Sequence, residues 1–424
     1  MWVPAATRRP RPRATQYAYG VGYWSDRQIE EWERGWASAG DSTVCAEHLT
    51  EPALKAVVRD GACETACSYC EASARRPIAI PVDELLEHIA ESLESEYTDA
   101  DTLPRDEGEV LFEVPLLTAE VLENEAFEAD EELLGDVLKA FGDRGWCRRN
   151  WERLPPERRL LLGWTDFCAT VRQRRFLFLR EETDPYDSDY VSPRQMLDEL
   201  EHGLPALVVT WPPGRRLVRA RVHPAAVAVG DALSLGPPPA ENATANRMSA
   251  DGVVMFYAAD DEVTAVVETE AQANPHHDTT TAGVFVSQSL LRLVDLTRLP
   301  DVPSIFDEAR RAQRPFVRFI ASFAHDISRS VPARGAAGMY APTQIVTEHI
   351  RDYVRDELGD SIDGIVYASS RVIGSRCVVL FIDSHRCGDL DVPRPADRVA
   401  TLLLDRTTVW SRARRLSFEA GQAG

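Results

Sequence analysis

The sequence predicts an α+β fold: a mainly helical N-terminal domain with a zinc knuckle, then a C-terminal domain built on a mixed β-sheet. Three observations predict it. Apolar residues recur at helical spacing as far as residue 204, whereas short β-branched runs bounded by Gly, Pro and Asp take over after Pro205. Four metal-type ligands fall in two pairs between residues 45 and 70. At 424 residues the chain also exceeds one core, since single cores rarely grow past ~250 residues.

Residues 1–40 read as a tail and a short helix. The stretch "TRRPRPRATQ" has no apolar region of the kind a secretory signal carries. "SDRQIEEWERGWASAG" fits a helix capped by Ser25 and stopped by Gly40. Residues 41–204 form the helical domain, opening with the cysteine cluster at 41–76. In "PVDELLEHIAESLES" Leu85, Leu86, Ile89 and Leu93 share one helical face. "LTAEVLENEAF" and "ADEELLGDVLKAFG" give two more helices, the second stopped by Gly142. "WTDFCATVRQRRFLFL" and "SPRQMLDELEHGL" continue the pattern, with Ser192 as a cap and Pro193 at the first helical position.

Residues 205–392 form the sheet domain. Its strands are read at "ALVVTW", "RLVRARV", "GVVMFYAA", "LRLVDL", "GIVYASSRV" and "CVVLFID". Helices are read at "DEVTAVVETEAQ", "SIFDEARRAQRPFVRFIASFAHDIS" and "PTQIVTEHIRDYVRDEL", and strands with inserted helices describe an α+β domain. "LSLGPPPAENATANRMSADG" is too irregular for an element and is read as a loop. Residues 393–424 are expected to be a peripheral helix and a tail.

Composition excludes several chemistries. Lys55 and Lys139 are the only lysines and neither follows a glycine, so there is no Walker A loop, and a lysine Schiff base is disfavoured. No apolar run approaches the ~20 residues of a membrane span. The net charge of −21 is concentrated: between Asp83 and Asp143 twenty-one acidic residues face only Arg105 and Lys139. Such a face disfavours ordinary nucleic-acid binding; it either keeps a helical surface solvated or attracts a basic protein. Eight cysteines without an export signal point to a reduced cytoplasm.

Cys45-x2-His48, eighteen residues, then Cys67-x2-Cys70 has the spacing of two metal knuckles. Together they close a tetrahedron around Zn²⁺ and leave no open position, so the expected site is structural. Cys63 is a spare that could replace His48.

The polar anchors of the second half are Arg219, Arg247, Tyr257, Glu268 and Ser369. Two arginine forks suit a pyrophosphate. One carboxylate suits a sugar carbon that gains positive charge. Tyr257 can stack on a ring, and Ser369 can donate to a phosphate or ribose oxygen. Each also has a structural explanation: of Arg219 and Arg221, for instance, one is expected to point outward into solvent. Spacing alone leaves the function open.

The order "LVRARV … NRMSADGVVMFYAADDEVTAVVE … YAPTQIVTEHIR … DGIVYASSR … VVLF" resembles the RES domain, a family named for its Arg, Glu and Ser. "CAEHL…CETACSYC" and the helices after it resemble the zinc-knuckle and HEPN-like module that precedes some RES domains. The two matches cover about residues 41–390. The resemblance implies a fold akin to ADP-ribosyltransferases and an NAD⁺-consuming toxin that acts by hydrolysis, phosphorolysis or ADP-ribosyl transfer, in a toxin–antitoxin or defence role. It implies Arg219, Glu268 and Ser369 as catalytic residues, and Arg219, Arg247, Tyr257 and Ser369 as the NAD⁺-binding set. An antitoxin or other basic protein at the acidic face is the partner it suggests.

There are departures from the family. Val218 stands where an aromatic often precedes the first arginine, "NRMS" replaces a Gly-Arg-aromatic-Asn pattern, and the 100 residues between Glu268 and Ser369 exceed a minimal domain. The Arg-x4-6-His motif of HEPN ribonucleases is absent from the helical half, which disfavours an RNase role. The alternative to an enzyme is a zinc-stabilised interaction module with a degenerate RES domain.

Overall fold

The computed structural model describes residues 31, 34–106, 109–110, 114–149, 153–173, 189–270, 277–328, 339–393 and 399–411. The expected N-terminal tail, the Ser25 cap, the end of the helix read at "RRFLFL" and residues 412–424 lie outside the described residues. The chain divides into two compact units, Met1–Trp151 with Ser304–Glu308, and Glu152–Pro303 with Ala309–Gly424. The fold class is α+β, as the alternation of spacing predicts.

The first unit starts with a helical turn that stops at Gly35, whose φ of +83° suits glycine, five residues before the expected Gly40 stop. Strand β1 (Thr43–Cys45) pairs antiparallel with β2 (Ala79–Pro81), and α1 (Pro52–Asp60) lies between them in sequence. Helix α2 (Val82–Glu96) buries Leu85, Leu86, Ile89 and Leu93 completely and exposes Glu84, Glu87 and Glu91. In this helix the acidic residues thus form the solvated side of an amphipathic element. Then follow β3 (Tyr97–Asp99), a β4–β5 ribbon (Arg105–Asp106, Glu109–Val110) and β6 (Leu116–Leu117). Helices α3 (Thr118–Asn124) and α4 (Glu131–Phe141) precede β7 (Gly145–Arg148), and α4 stops at Gly142 (φ +60°). A small sheet in the order β3-β7-β6 was not legible from helical spacing; Trp146 of its centre strand is buried in the same core as Ile305 and Phe306.

The second unit begins with α5 (Pro156–Gln173) and α6 (Pro193–Gly203), which the sequence reading assigns to the helical half. Ser192 caps α6 as expected, its Oγ accepting from Gln195 N at 3.2 Å. Strands β8 (Val208–Trp211) and β9 (Arg216–His223) follow, then α7 (Ala232–Leu235), β10 (Phe256–Ala259) and α8 (Glu262–Glu270). Next come β11 (Thr279–Ser287), β12 (Leu291–Asp295), α9 (Arg314–Ser328) and α10 (Ala341–Asp352). The chain ends with β13 (Gly364–Ala368), β14 (Arg376–Leu380), β15 (Cys387–Asp389) and β16 (Leu402–Ser411).

Nine of these strands form one mixed sheet in the order β15-β16-β11-β9-β10-β14-β13-β12-β8. Trp164, Phe167, Phe319 and Phe323 of α5 and α9 pack with Ile365 and Val379 in the largest core of this unit. Two smaller clusters, around Leu217 with Phe256 and around Val218 with Ala265, flank the strands nearest the centre. Two expectations fail. The segment after residue 392 is not a peripheral helix in its described part: β16 pairs along β11 from Thr279↔Ser411 to Ser287↔Leu402. Strand β11 itself, "TTTAGVFVS", is not among the expected strands. Its hydroxyls are buried, Thr280 and Thr281 being at most 1% exposed, and no alternation of polar and apolar residues marks a strand covered on both faces.

Candidate active site and metal-binding cluster

The sheet is nearly discontinuous at one seam. Strands β9 and β10 share a single register pair, Ala259↔Val218, whereas β9 and β11 pair over eight residues, from His223 to Arg216. Past that pair β9 and β10 run antiparallel and separate. A cavity of about 420 Å³ opens between them, lined among others by Arg219, Arg221, Arg247, Tyr257, Glu268 and His277. That volume lies in the range of small-ligand sites. Three arginines against one carboxylate make the lining electropositive, which suits an anion.

Arg219 extends from the middle of β9. Its Nε donates to Leu235 O and its Nη1 to Tyr257 O, both at 2.8 Å, and its guanidinium lies 5.3 Å from the Phe256 ring centroid. Burial pushes it down to about 10, still charged at neutral pH. Arg221, two residues further along β9, shares that strand face, and it is exposed, as expected for one of the two arginines. Both line the cavity, and Arg221 Nη1 donates to Ser234 O at 2.5 Å.

Arg247 sits in the expected loop, which is irregular but fastened. Asn246 and Ser249 close a turn through Asn246 N to Ser249 O at 2.8 Å. Helix α10 grips it: Gln344 Nε2 donates to Asn246 O and Ser249 O at 2.8 and 3.0 Å, and Thr343 Oγ1 donates to Arg247 O. The guanidinium donates to Ser328 O at 2.8 Å and lies 5.9 Å from the Tyr367 ring. Tyr257, on β10, donates its hydroxyl to Ser249 Oγ at 2.9 Å, and burial pushes that hydroxyl up to about 12.

Glu268 lies in the last turn of α8. Of the two candidate caps, Asp261 is the one used, accepting from Thr264 N at 2.8 Å, while Asp260 turns elsewhere. The burial of Ala265 and Val266 fixes the rotation of the helix. Glu268 Oε1 accepts from Ser369 Oγ at 2.5 Å and from Ser370 N at 2.9 Å. The same Ser369 oxygen accepts from the backbone N–H groups of Arg371 and Val372 at 3.2 and 3.0 Å. Ser369 thus stands 101 residues from Glu268 in sequence yet shares a hydrogen bond with it.

Four of the five anchors therefore line one cavity and the fifth bonds to the carboxylate among them. Sequence reading missed Arg221, His277, Tyr367 and Cys377 in the lining, and Thr343 and Gln344 behind the loop. Period-two spacing from Arg219 would have found Arg221. Nothing in the sequence marks the others, because their roles come from long-range pairing. Cys377 is a core-type thiol, pushed up to about 12 by burial.

In the first unit, the ligand atoms of Cys45, His48, Cys67 and Cys70 all lie within 4.8 Å of one another and could hold a metal ion. Cys63 is exposed and outside this set, so His48 takes the fourth place. Cys45 Sγ and Cys70 Sγ are 3.9 Å apart, close to the ~3.8 Å of two thiolates on one tetrahedral Zn²⁺. The donors fit an ion independently of spacing. His48 Nδ1 is engaged by the Asp130 carboxylate, while its buried Nε2 has no hydrogen-bond partner among the described residues. A carboxylate on one ring nitrogen that leaves the other for a metal is the usual outer-shell arrangement. Cys45 N donates to Cys67 Sγ at 3.4 Å, and the adjacent His48 ring pulls the Cys70 thiol down to about 7.

Comparison with known families gives two matches. Residues 216–405 match the RES domain and residues 61–184 match HEPN/RES N-terminal domain 1. No curated protein and no solved structure matches the chain.

Proposed function

We propose that this chain, which carries a RES domain behind a HEPN/RES N-terminal domain, cleaves the nicotinamide–ribose bond of NAD⁺. The observation that supports this best is one cavity lined by Arg219, Arg247 and Glu268, with Ser369 bonded to that carboxylate. Arg219 and Arg247 would hold the pyrophosphate, each through its planar fork. Tyr257 would lie against a ring of the dinucleotide.

The chemistry asks little acid catalysis. The leaving group is a pyridinium: the C1′–N bond breaks, its electron pair stays on the ring nitrogen, and nicotinamide leaves neutral. What costs energy is positive charge on the ribose carbon. Glu268 would stabilise that charge or bond the 2′-hydroxyl, with Ser369 and the Ser370 N–H fixing its orientation. An acceptor oxygen from water, phosphate or a protein then bonds to C1′ and loses its proton to solvent. NAD⁺ loss of this kind fits a toxin–antitoxin or defence role in the cytoplasm, with a basic antitoxin at the acidic helical face. Among the described residues no helix is long and apolar enough to cross a membrane. In the first unit Cys45, His48, Cys67 and Cys70 would hold a structural Zn²⁺.

The test is a proton NMR time course of NAD⁺ with purified full-length protein. Release of nicotinamide, with an ADP-ribose product whose anomeric signal names the acceptor, is expected. No nicotinamide above background, together with harmless expression in cells, would leave the non-catalytic module as the reading.

A further inference from the structure

The seam that makes the cavity also creates a mechanical problem, because one register pair is a weak hinge between two half-sheets. Backbone pairing between these antiparallel strands is limited to Val218↔Ala259, and the one further link described above is the side-chain bond from Arg219 Nη1 to Tyr257 O. Arg219 and Arg221 would move with one half, and Tyr257 and Ser369 with the other. Immediately beyond the closed end of the seam sits a charged cluster that the proposed chemistry does not use.

Asp260 follows β10 directly, and its two oxygens take two arginines. Oδ2 accepts from Arg376 Nε at 2.7 Å, and Oδ1 from Arg215 Nη2 at 3.1 Å. The arginines stand on opposite sides of the seam. Arg376 opens β14, which pairs with β10, and its carbonyl accepts from Asp260 N at 3.2 Å. Arg215 precedes β9, and its backbone is tied to β11: its N–H donates to Ser287 Oγ at 3.0 Å, and Ser287 N donates to its carbonyl at 2.9 Å. Both guanidiniums lie over Trp211, at 4.5 and 5.9 Å from the ring. Asp260 and Arg376 are only partly wet, at 20% and 21% side-chain exposure, so their pair is screened less than an open surface pair, while Arg215 is wetter at 37%.

We infer that Asp260 is a positioning residue that clamps the two half-sheets through Arg215 and Arg376, and so fixes Glu268 and Ser369 relative to Arg219. Asp260 also sits one residue before the Asp261 cap, so the clamp holds the start of the helix that carries Glu268. On the Arg376 side it holds the end of the 369–375 loop, where Ser369 N donates to Ser375 O at 2.9 Å. The inference rests on the NAD⁺ reading only for its kinetic consequence; the clamp itself is a statement about the sheet.

Two disrupting variants and one rescue variant test it, in the full chain. Asp260→Asn removes the charge from both legs. Buried Asp295, 4.0 Å from Arg376, still faces that arginine, which keeps the variant foldable. Arg215→Gln cuts only the leg across the seam and is the milder change if Asp260→Asn fails to fold. A small misplacement of reacting groups lowers turnover by up to ~100-fold, so kcat should fall at least about tenfold while KM for NAD⁺ moves less than about threefold. Arg215→Lys should restore most of kcat. Hydrogen–deuterium exchange should rise in residues 255–260 and 369–376 in both variants. Unchanged exchange there overturns the clamp whether or not the protein consumes NAD⁺. Raised exchange with wild-type kcat per folded molecule reduces it to a structural tie. If the wild-type protein releases no nicotinamide, the NAD⁺ reading falls and the exchange result alone decides the clamp.

Discussion

At the scale of single residues, the carboxylate of Glu268 carries most weight. Among the described residues it is the only acidic group lining a cavity that also holds three arginines. Converting it to an amide preserves shape and removes the charge that would face the ribose carbon. Glu268→Gln should therefore slow nicotinamide release by ~100-fold or more with little change in melting temperature. Wild-type turnover in that variant would remove Glu268 from the mechanism. Ser369→Ala is a softer test. It deletes a hydroxyl that donates to Glu268 and accepts two backbone N–H groups, so the carboxylate loses one of its two observed donors. A fall in kcat of about tenfold, larger than any change in KM, is expected, which corresponds to ~1.4 kcal/mol of barrier. Residue identity was the legible part of the site: Arg219, Arg247, Tyr257, Glu268 and Ser369 could be named from the order of motifs. Arg221 is the exposed member expected of the arginine pair, and its place on the same strand face as Arg219 also puts it in the cavity wall.

At the scale of elements, helix α8 and its cap decide where Glu268 stands. Asp261 accepts from Thr264 N and from Thr264 Oγ1 at 2.6 Å, which binds the first turn on both backbone and side chain. Asp261→Ala should cost about 1 kcal/mol of stability, as cap deletions do, read as a lower midpoint in urea unfolding. A midpoint unchanged within error would mean that packing of Ala265 and Val266 alone holds the helix. Elements with clear amphipathic spacing, such as α2, α4 and α6, stand where the sequence reading put them. The failures were strands. Thr-rich β11 and the late β16 lie side by side, yet nothing local marks either as sheet. Strand preference follows from cross-strand neighbours more than from the backbone itself, and β11 and β16 face each other across more than a hundred residues of sequence.

At the scale of the molecule, two units with separate cores imply separable stabilities. The Cys45–His48–Cys67–Cys70 cluster lies wholly in the first unit, where it links the β1 end to the turn at 67–70. A structural metal contributes folding energy to the part it cross-links. Treatment with a strong chelator should therefore raise hydrogen exchange in residues 43–70 and in α2, with residues 208–295 unchanged. Elemental analysis should find about one zinc per chain before treatment. Absence of metal, or equal loosening of the nine-stranded sheet, would make the four donors ordinary reduced thiols and a histidine.

The sequence by itself determined the α+β class, the two-knuckle spacing, the helices with a clear apolar face, and the five side chains worth following. These are local properties: periodicity, caps and ligand spacing depend on residues a few positions apart. Only the tertiary structure decided that β9 and β10 meet at one pair and then part, and that the cavity opens there. It also placed Ser369 on Glu268 and Asp260 between two arginines. A seam is the absence of a pairing, and strand pairing is chosen by distant partners competing for the same backbone donors and acceptors. No run of residues along β9 or β10 records which of their carbonyls will accept from side chains instead of from the neighbouring strand.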